Sequence, residues 1–321
     1  MFHINAIDAI KKIAMRKSFS THKWQQKRLG GKTKFLSTIG LGVTSVITMS
    51  VALTNRTIAA DFLTEQGIPP LGANNPACRP SAARPVPVVL VHGTALIAAE
   101  SWTPLALLLA SKGYCVYALN YGNRATGPVA DSAKELKVFV DNVLALTKAN
   151  KVSIVGHSQG GMMPRYYIKF LGGANKVDDL IALAPSNHGT TLPEPLLAIC
   201  ANAKDLDVNL TDQACLDQVA GSPFLTQLNA GDETPGPVSY TVVATKYDEI
   251  INPYTSGFLD VGKPNNLVTN ITLQKCYPLA ITDHALITKN LDAYKFVYDA
   301  LAYSGPANTT RVTGKYCAER Y

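Results

Sequence analysis

The sequence predicts an α/β fold in which a mostly parallel sheet carries helices on both faces and a small helical cap over one edge. Three observations support this prediction. Short, continuously apolar runs alternate with longer stretches of helical spacing, as in parallel sheets joined by crossover helices. A glycine-rich turn directly follows one of the apolar runs, at residues 156–161. Residues 189–237 interrupt the alternation, because they contain no strand pattern.

The composition places the chain among globular proteins. It has 321 residues, 47% of them apolar, which allows a sizeable core and excludes a disordered protein. The formal net charge of +7 is concentrated in residues 1–60, which hold ten of the 30 Lys and Arg residues and one acidic residue. Residues 61–321 hold 20 basic and 22 acidic residues without a basic stripe, so no nucleic-acid partner is expected.

Residues 1–60 have the pattern of an export signal. A long positively charged region precedes an apolar stretch at 35–53, and small residues follow at Ala59 and Ala60. We therefore expect cleavage before Asp61, a secreted protein, and one catalytic domain at 61–321. The alternative is a permanent membrane anchor, which is less favoured because Ser, Thr and Gly dilute the apolar stretch.

The predicted elements of the domain follow in order. Apolar runs predict strands at 86–91, 115–119, 152–155, 180–184, 239–244 and 270–273. Helical spacing predicts helices at 101–112, at 133–147 and from the glycine-rich turn to about residue 171. A final helix is predicted to begin near residue 284, where apolar residues follow at alternating steps of four and three: Ile287, Leu291, Tyr294, Tyr298 and Leu301. A structureless loop as long as 189–237 is unusual, so this segment is interpreted as the helical cap.

The cysteines favour a disulfide framework over a metal site. Six are present, and none lies in a C-x-x-C pair or near paired histidines, so no zinc site is expected. An even number behind an export signal favours three disulfides, for which fifteen pairings exist. Free buried thiols are the alternative. Sequential pairing would close the most local loops and is preferred: Cys78–Cys115, Cys200–Cys215 and Cys276–Cys317.

The strongest chemical signal is a G-x-S-x-G motif placed between a β-branched strand and a helix. Ser158 occupies its centre, with Gly156 and Gly160 on either side. A serine on so sharp a turn has its hydroxyl raised above the sheet edge, and only very small neighbours fit beside it. Ser158 is therefore the candidate nucleophile. The alternative interpretation is a serine in an ordinary glycine-rich turn.

A serine hydroxyl needs a base to remove its proton, and in this arrangement the base comes last in the chain. Residues 61–321 contain four histidines. His92 precedes the serine, His157 lies inside the motif, and His188 comes before any well-placed acid. His284 follows the last predicted strand and is the candidate base.

The acid that orients such a base should end a strand between the nucleophile and the base. Asp248 follows the predicted strand at 239–244 and meets this condition, with Glu249 as the nearest competitor. Asp283 is interpreted as a helix cap. An oxyanion needs preorganised donors, and the backbone N–H of Gln159 and the N–H and hydroxyl of Thr94 are the candidates.

These residues lie in stretches that resemble the secreted class 2 triacylglycerol lipases of bacteria and, more distantly, the lipase B type of fungal lipase. The stretches are Leu90–Thr94, Gly156–Gly161, Lys176–Pro185 with Gly189 and Thr190, and Ala244–Pro253. The resemblance implies an α/β-hydrolase fold, no cofactor, and hydrolysis of acyl glycerols or similar esters. It carries Ser158, Asp248 and His284 over as the triad, and Thr94 and Gln159 as the oxyanion hole. His157 is a departure, because the fungal type has a tryptophan there.

Three functions remain open from the sequence. A monomeric lipase that contacts a lipid surface transiently is favoured by the export signal and by the apolar cap residues Leu192, Leu196, Leu197 and Ile199. An exported carboxylesterase or polyesterase would use the same triad on short or polymeric esters. A non-catalytic binding protein on the same scaffold is disfavoured by the complete set of candidate catalytic residues.

Overall fold

The computed structural model describes residues 61–191, 194, 195, 198, 213–261 and 267–319. The predicted leader at 1–60 and the apolar cap residues Leu192, Leu196, Leu197 and Ile199 lie outside the described residues. Within the described part of the chain, no helix is long and apolar enough to cross a membrane.

In the part of the chain that the structure describes, seven strands form one central sheet with the order β2-β1-β3-β4-β5-β6-β7. The first six strands are parallel, and β7 pairs antiparallel with β6. The strands are β1 Val88–Val91, β2 Val116–Leu119, β3 Val152–His157, β4 Val177–Leu183, β5 Ser239–Ala244, β6 Val268–Thr272 and β7 Ala318–Glu319. Because the strands are parallel, their carboxyl ends meet at one edge, where β3, β4 and β5 lie side by side.

Helices cover both faces of the sheet. They are α1 Ala98–Ser111, α2 Val129–Thr147, α3 Gln159–Phe170, α4 Gln213–Asp217, α5 Pro223–Asn229, α6 Leu273–Cys276, α7 Leu291–Ala302 and α8 Thr309–Thr313; an irregular turn lies at Gly122–Ala125, and 3₁₀ turns lie at Gly173–Asn175, Tyr254–Gly257 and Leu286–Lys289. Successive strand side chains point to opposite faces. Val89 and Val91 therefore join a core with α2 and α3, while Val88 and Leu90 join a second core with α1 and α7. The predicted α/β architecture is confirmed.

The described part of the predicted cap segment, residues 189–237, contains the short helices α4 and α5 joined by turns. Its described residues form no strand beyond a single bridge between Thr190 and Val219. Asp217 on α4 accepts a hydrogen bond at 3.1 Å from the backbone N–H of Val129, the first residue of α2. This contact attaches the segment to the helix layer beneath it.

Two predicted elements at the end of the domain differ from the structure. The last strand is β7 rather than β6, because two residues are too short to produce a sequence pattern. The final helix begins at Leu291, where the Asn290 side chain accepts hydrogen bonds from the N–H groups of Asp292 and Ala293. Leu291 is 72% exposed, and the buried residues of the helix are Ala293, Tyr294, Phe296, Val297, Asp299 and Ala300.

Two of the predicted disulfides, Cys78–Cys115 and Cys276–Cys317, are present in the structure. The third predicted pairing involves Cys200, which lies outside the described residues, so it stays a prediction. Cys276 belongs to α6 and Cys317 directly precedes β7. The second disulfide therefore fastens the short edge strand to the segment that leads toward His284.

Removing the Cys276–Cys317 disulfide should destabilise the protein substantially. The bond closes a chain separation of 41 residues, which in the chain-entropy description contributes about 4 kcal/mol to the free energy of unfolding. Urea unfolding of the Cys276→Ala/Cys317→Ala double variant measures this loss. The Cys78→Ala/Cys115→Ala variant is the control for loop length, because the Cys78–Cys115 disulfide joins residues 37 positions apart. A loss below 1 kcal/mol for the first variant alone would show that this bond does not constrain the fold.

Candidate active site

The turn after β3 holds Ser158 in a strained conformation. Its φ and ψ angles are 55° and −124°, a region that non-glycine residues rarely occupy and that is associated with functional sites. A Cβ atom at Gly156 would lie 1.8 Å from the Gly160 carbonyl oxygen, and one at Gly160 would lie 2.3 Å from the His92 carbonyl oxygen. Both positions therefore exclude any side chain, as the sequence motif predicts.

Asp248 and His284 meet at the same edge of the sheet, although 36 residues separate them. The Nδ1 atom of His284 lies 2.9 Å from both carboxylate oxygens of Asp248, whose side chain is buried. The Oδ1 atom of Asp248 also accepts hydrogen bonds from the backbone N–H groups of Ile250 and Ile251, at 3.0 and 2.7 Å. The carboxylate is therefore fixed by two backbone donors at Oδ1, while both of its oxygens face the imidazole.

Glu249 has a different contact with the same histidine. Its Oε2 atom accepts a hydrogen bond at 3.2 Å from the backbone N–H of His284, not from the ring. The two candidate acids therefore contact different atoms of His284: Asp248 contacts the ring and Glu249 the backbone N–H. Only Asp248 is in a position to select the tautomer of the imidazole.

His157 connects the serine turn to the loop that carries His284. Its Nε2 atom lies 2.8 Å from the His284 carbonyl oxygen, and the two rings are 4.8 Å apart between centroids. Burial, followed by the repulsive effect of a charged His284, lowers the pKa of His157 to about 3. His157 is therefore neutral at neutral pH, and Nε2 must carry its hydrogen because a carbonyl oxygen can only accept. No direct hydrogen bond joins Ser158 and His284 within the described residues, and such pairs are often longer before a substrate binds.

The two remaining histidines of the domain are engaged elsewhere. His92 is fully buried, has its Nδ1 atom 2.8 Å from the Gly93 carbonyl oxygen, and stacks on Tyr121. Burial lowers the pKa of His92 to about 4. The Nε2 atom of His188 lies 3.0 Å from a carboxylate oxygen of Glu233. Neither histidine contacts Asp248, which agrees with their exclusion as the base.

The two candidate oxyanion residues lie together beside the serine. Within the described residues, the backbone N–H groups of Thr94 and Gln159 have no hydrogen-bond acceptor. The hydroxyl of Thr94, by contrast, donates to the Oε1 atom of Gln159 at 2.6 Å. Two donors are therefore open, and the third donor expected from the sequence is engaged in this state.

The family of the chain follows from comparison with known proteins. The family model described as lipase (class 2) matches residues 85–290, a range that contains Thr94, Ser158, Asp248 and His284. The chain belongs to the class 2 lipase family. The membership expected from the sequence motifs is confirmed.

Relatives of this class 2 lipase match it over part of their length. Lipase B of Pseudozyma antarctica is 28% identical over 214 residues, which cover 62% of this chain and 56% of that protein. A triacylglycerol lipase of Pseudarthrobacter phenanthrenivorans is 37% identical over 91 residues, covering 26% of this chain and 28% of that protein. The chain therefore spans about half of the first relative and about a quarter of the second.

Solved structures similar to the class 2 lipase show the same fold. The crystal structure of Aspergillus fumigatus lipase B has a TM-score of 0.60 at 22% identity, covering 72% of this chain and 57% of that one. A Bacillus licheniformis lipase in its propeptide form has a TM-score of 0.55 at 17% identity, covering 71% of this chain and 52% of that one. These similarities confirm the α/β-hydrolase fold.

Sequence reasoning missed two contacts of the class 2 lipase site. The side chain of Gln218 contacts both Thr94 and Gln159, yet no motif surrounds it and it lies far from both in the chain. The bond from His157 to the backbone of His284 was also not foreseen. The position of His157 inside the G-x-S-x-G motif marks it as a residue near the site. Its hydrogen-bond partner depends on the path of the loop that carries His284.

Proposed function

We propose that this chain is a serine carboxylic-ester hydrolase that acts as a triacylglycerol lipase. Ser158 is the nucleophile, His284 the general base and Asp248 the acid that orients it. The observation that carries the proposal is the buried pair of Asp248 with the Nδ1 atom of His284, at the same sheet edge as the strained serine. Family membership supports the reaction class.

The reaction follows from these contacts. His284 Nε2 accepts the proton of Ser158 as Oγ attacks the ester carbonyl carbon, and Asp248 stabilises the resulting imidazolium. The carbonyl oxygen becomes an oxyanion, which the free N–H groups of Thr94 and Gln159 are placed to receive. The tetrahedral intermediate expels the alcohol, which takes the proton from His284 and leaves an acyl group on Ser158. Water, activated by His284 in the same way, then attacks the acyl group on Ser158. The second tetrahedral intermediate collapses and releases the carboxylic acid.

Exposed apolar side chains on the segment around His284 support a lipid substrate. Leu279 is 93% exposed, Ile281 87% and Leu286 52%. Large aliphatic side chains at this exposure are unfavourable in water, and together they provide an apolar surface that a lipid phase would cover. We define these three residues as the 279–286 patch, and propose that it contacts the lipid surface on which the enzyme acts.

The two disulfides support export, because disulfides persist in oxidising compartments. We propose that the enzyme is secreted and meets its lipid substrate outside the cell. We also propose that residues 1–60 are cleaved off before Asp61. The N-terminal sequence of the protein recovered from the medium tests it, and recovery of the chain only in the membrane fraction would favour the anchored form instead.

A chain-length series of p-nitrophenyl esters, together with tributyrin and an olive-oil emulsion, tests the substrate class. A lipase should hydrolyse the emulsion and esters of long acyl chains. Activity confined to tributyrin and short esters would favour a carboxylesterase. Failure of a fluorophosphonate to label Ser158 would favour a non-catalytic protein and overturn the proposal entirely.

The Leu279→Ser/Ile281→Ser variant should bind lipid surfaces more weakly while its chemistry is preserved. Burial of one such side chain contributes about 2 kcal/mol, so we expect at least a tenfold higher emulsion concentration for half-maximal rate. The rate on a water-soluble ester should stay within about twofold. Val138→Ser is the matched control, because Val138 is an exposed aliphatic residue of α2, one of the helices packed on the sheet. Equal losses on the emulsion and on the soluble ester would show that the patch serves folding rather than lipid contact.

A further inference from the structure

Gln218 is a fully buried residue of the cap segment whose side chain lies in the candidate oxyanion site. Its Nε2 atom is 2.9 Å from the Thr94 hydroxyl oxygen, 2.9 Å from the Ala214 carbonyl oxygen and 3.2 Å from Gln159 Oε1. On its other side, Gln218 Oε1 accepts a hydrogen bond at 2.8 Å from the Ser186 hydroxyl. The side chain therefore joins the cap segment to both oxyanion residues and to the loop after β4.

The orientation of the Gln218 amide follows from the chemistry of its partners. The Ala214 carbonyl oxygen can only accept a hydrogen bond, so the amide nitrogen must face it. The same nitrogen faces Thr94. Reversing the amide would place two acceptors, Gln218 Oε1 and the Ala214 carbonyl oxygen, against each other in a site without water access.

This orientation determines how the Thr94 hydroxyl can act. Its oxygen accepts the N–H of Gln218, so its own hydrogen remains to be donated. In the present state that hydrogen goes to Gln159 Oε1, a neutral amide oxygen, at 2.6 Å. A developing oxyanion is a stronger acceptor than a neutral amide, because hydrogen bonds to ionised acceptors are about twice as strong. Rotation of the hydroxyl about its own C–O bond transfers the donor to the oxyanion without moving the side chain.

Resting on the proposed function above, we propose that Gln218 is a positioning residue of the oxyanion site. It acts through Thr94: by donating to the hydroxyl oxygen it keeps the Thr94 hydroxyl a donor. Thr94 thereby supplies a third hydrogen bond to the oxyanion, beside the two backbone N–H groups. Because Gln218 belongs to the cap segment, the assembly of the oxyanion site depends on the seating of that segment.

A double-mutant cycle between Gln218 and Thr94 tests the proposal on a soluble ester. Gln218→Met keeps the length of the side chain and removes the N–H donor; kcat should fall roughly 10- to 100-fold, part of the 10²–10³-fold cost of losing an oxyanion donor. KM should change less than threefold, because the ground-state carbonyl uses these bonds little. In a Thr94→Val background, where no hydroxyl exists, the same Gln218→Met change should cost less than threefold. In a Thr94→Ser background, which retains a hydroxyl, the full cost should return.

The Gln218→Glu variant provides a second, independent test of the role of the Gln218 N–H donor. A carboxylate can only accept, so it would draw the Thr94 hydrogen to itself and repel the oxyanion, and kcat should fall further than in Gln218→Met. Burial raises the pKa of a carboxyl group, and the protonated form can donate again. The kcat of this variant, divided by that of the unaltered enzyme at the same pH, should therefore rise as the pH is lowered.

Two controls and two distinguishable outcomes complete the experiment. Gln227→Met removes an exposed glutamine of α5, in the same cap segment, and should leave kcat unchanged. Fluorophosphonate titration gives the concentration of functional sites in each preparation, so misfolded protein does not enter kcat. If Gln218→Met costs the same with and without the Thr94 hydroxyl, its role is structural and the inference is wrong. If the unaltered enzyme hydrolyses no ester, the proposed function fails instead.

Discussion

Replacing Ser158 by alanine is expected to lower kcat on a soluble ester by roughly 10⁶-fold, and replacing His284 by alanine should cost about the same. In the proposed mechanism the two residues act as one unit: without the base the hydroxyl stays protonated, and without the hydroxyl the base has no nucleophile to activate. The double variant should therefore be only slightly slower than either single variant. Rates of p-nitrophenyl ester hydrolysis, measured over hours at high enzyme concentration, check both statements.

The matched control for this experiment is Ser132→Ala. Ser132 is a fully buried serine on α2, and its hydroxyl has no hydrogen-bond partner among the described residues, so its loss should leave kcat within about twofold. A Ser158→Ala enzyme that retained a tenth of the normal rate would exclude Ser158 as the nucleophile. If the fold-losses in kcat of the two single variants multiplied in the double variant, the two residues would act in separate steps.

Replacing Asp248 by asparagine is expected to lower kcat by roughly 10⁴-fold, the cost of the equivalent change in a serine protease triad. Asparagine keeps the size of the side chain, but it cannot stabilise the imidazolium and it can offer an N–H that selects the wrong tautomer. The neighbouring change Glu249→Gln is the control. The amide oxygen of glutamine can still accept the backbone N–H of His284, so kcat should fall less than tenfold. A larger loss in Glu249→Gln than in Asp248→Asn would mean that Glu249 is the acid.

The sheet could be predicted because its strands are buried on both faces. Such strands are continuous apolar runs, and the predicted strand at 239–244 coincides with β5. The predicted strand at 86–91 starts two residues before β1, and the predicted strand at 180–184 starts three residues after β4 begins, since strand ends depend on hydrogen-bond partners rather than on side chains. The start of the final helix was misplaced because Ile287 keeps the helical spacing while belonging to a separate 3₁₀ turn.

The candidate catalytic residues were open to prediction because they follow strands in a known chain order. Ser158, Asp248 and His284 each come after a strand of a parallel sheet, and the ends of such strands meet at one edge. Gln218 follows no strand and belongs to no motif. Its contact with Thr94 joins residues 124 positions apart and depends on the path of the cap segment, which no local pattern determines.

The edge strand β7 has a consequence for the order in which the protein can mature. Synthesis proceeds from the amino terminus, so all three candidate triad residues are already present in a chain that has reached His284. Such a chain still lacks Cys317 and the two residues of β7, and therefore neither the antiparallel pairing with β6 nor the Cys276–Cys317 bond can form. The loop that carries His284 receives this support only after the following residues have emerged and both sulfurs have reached an oxidising environment. If the chain is exported and acts as proposed, full activity should develop only after synthesis and export, so that inside the producing cell the enzyme would still lack this disulfide.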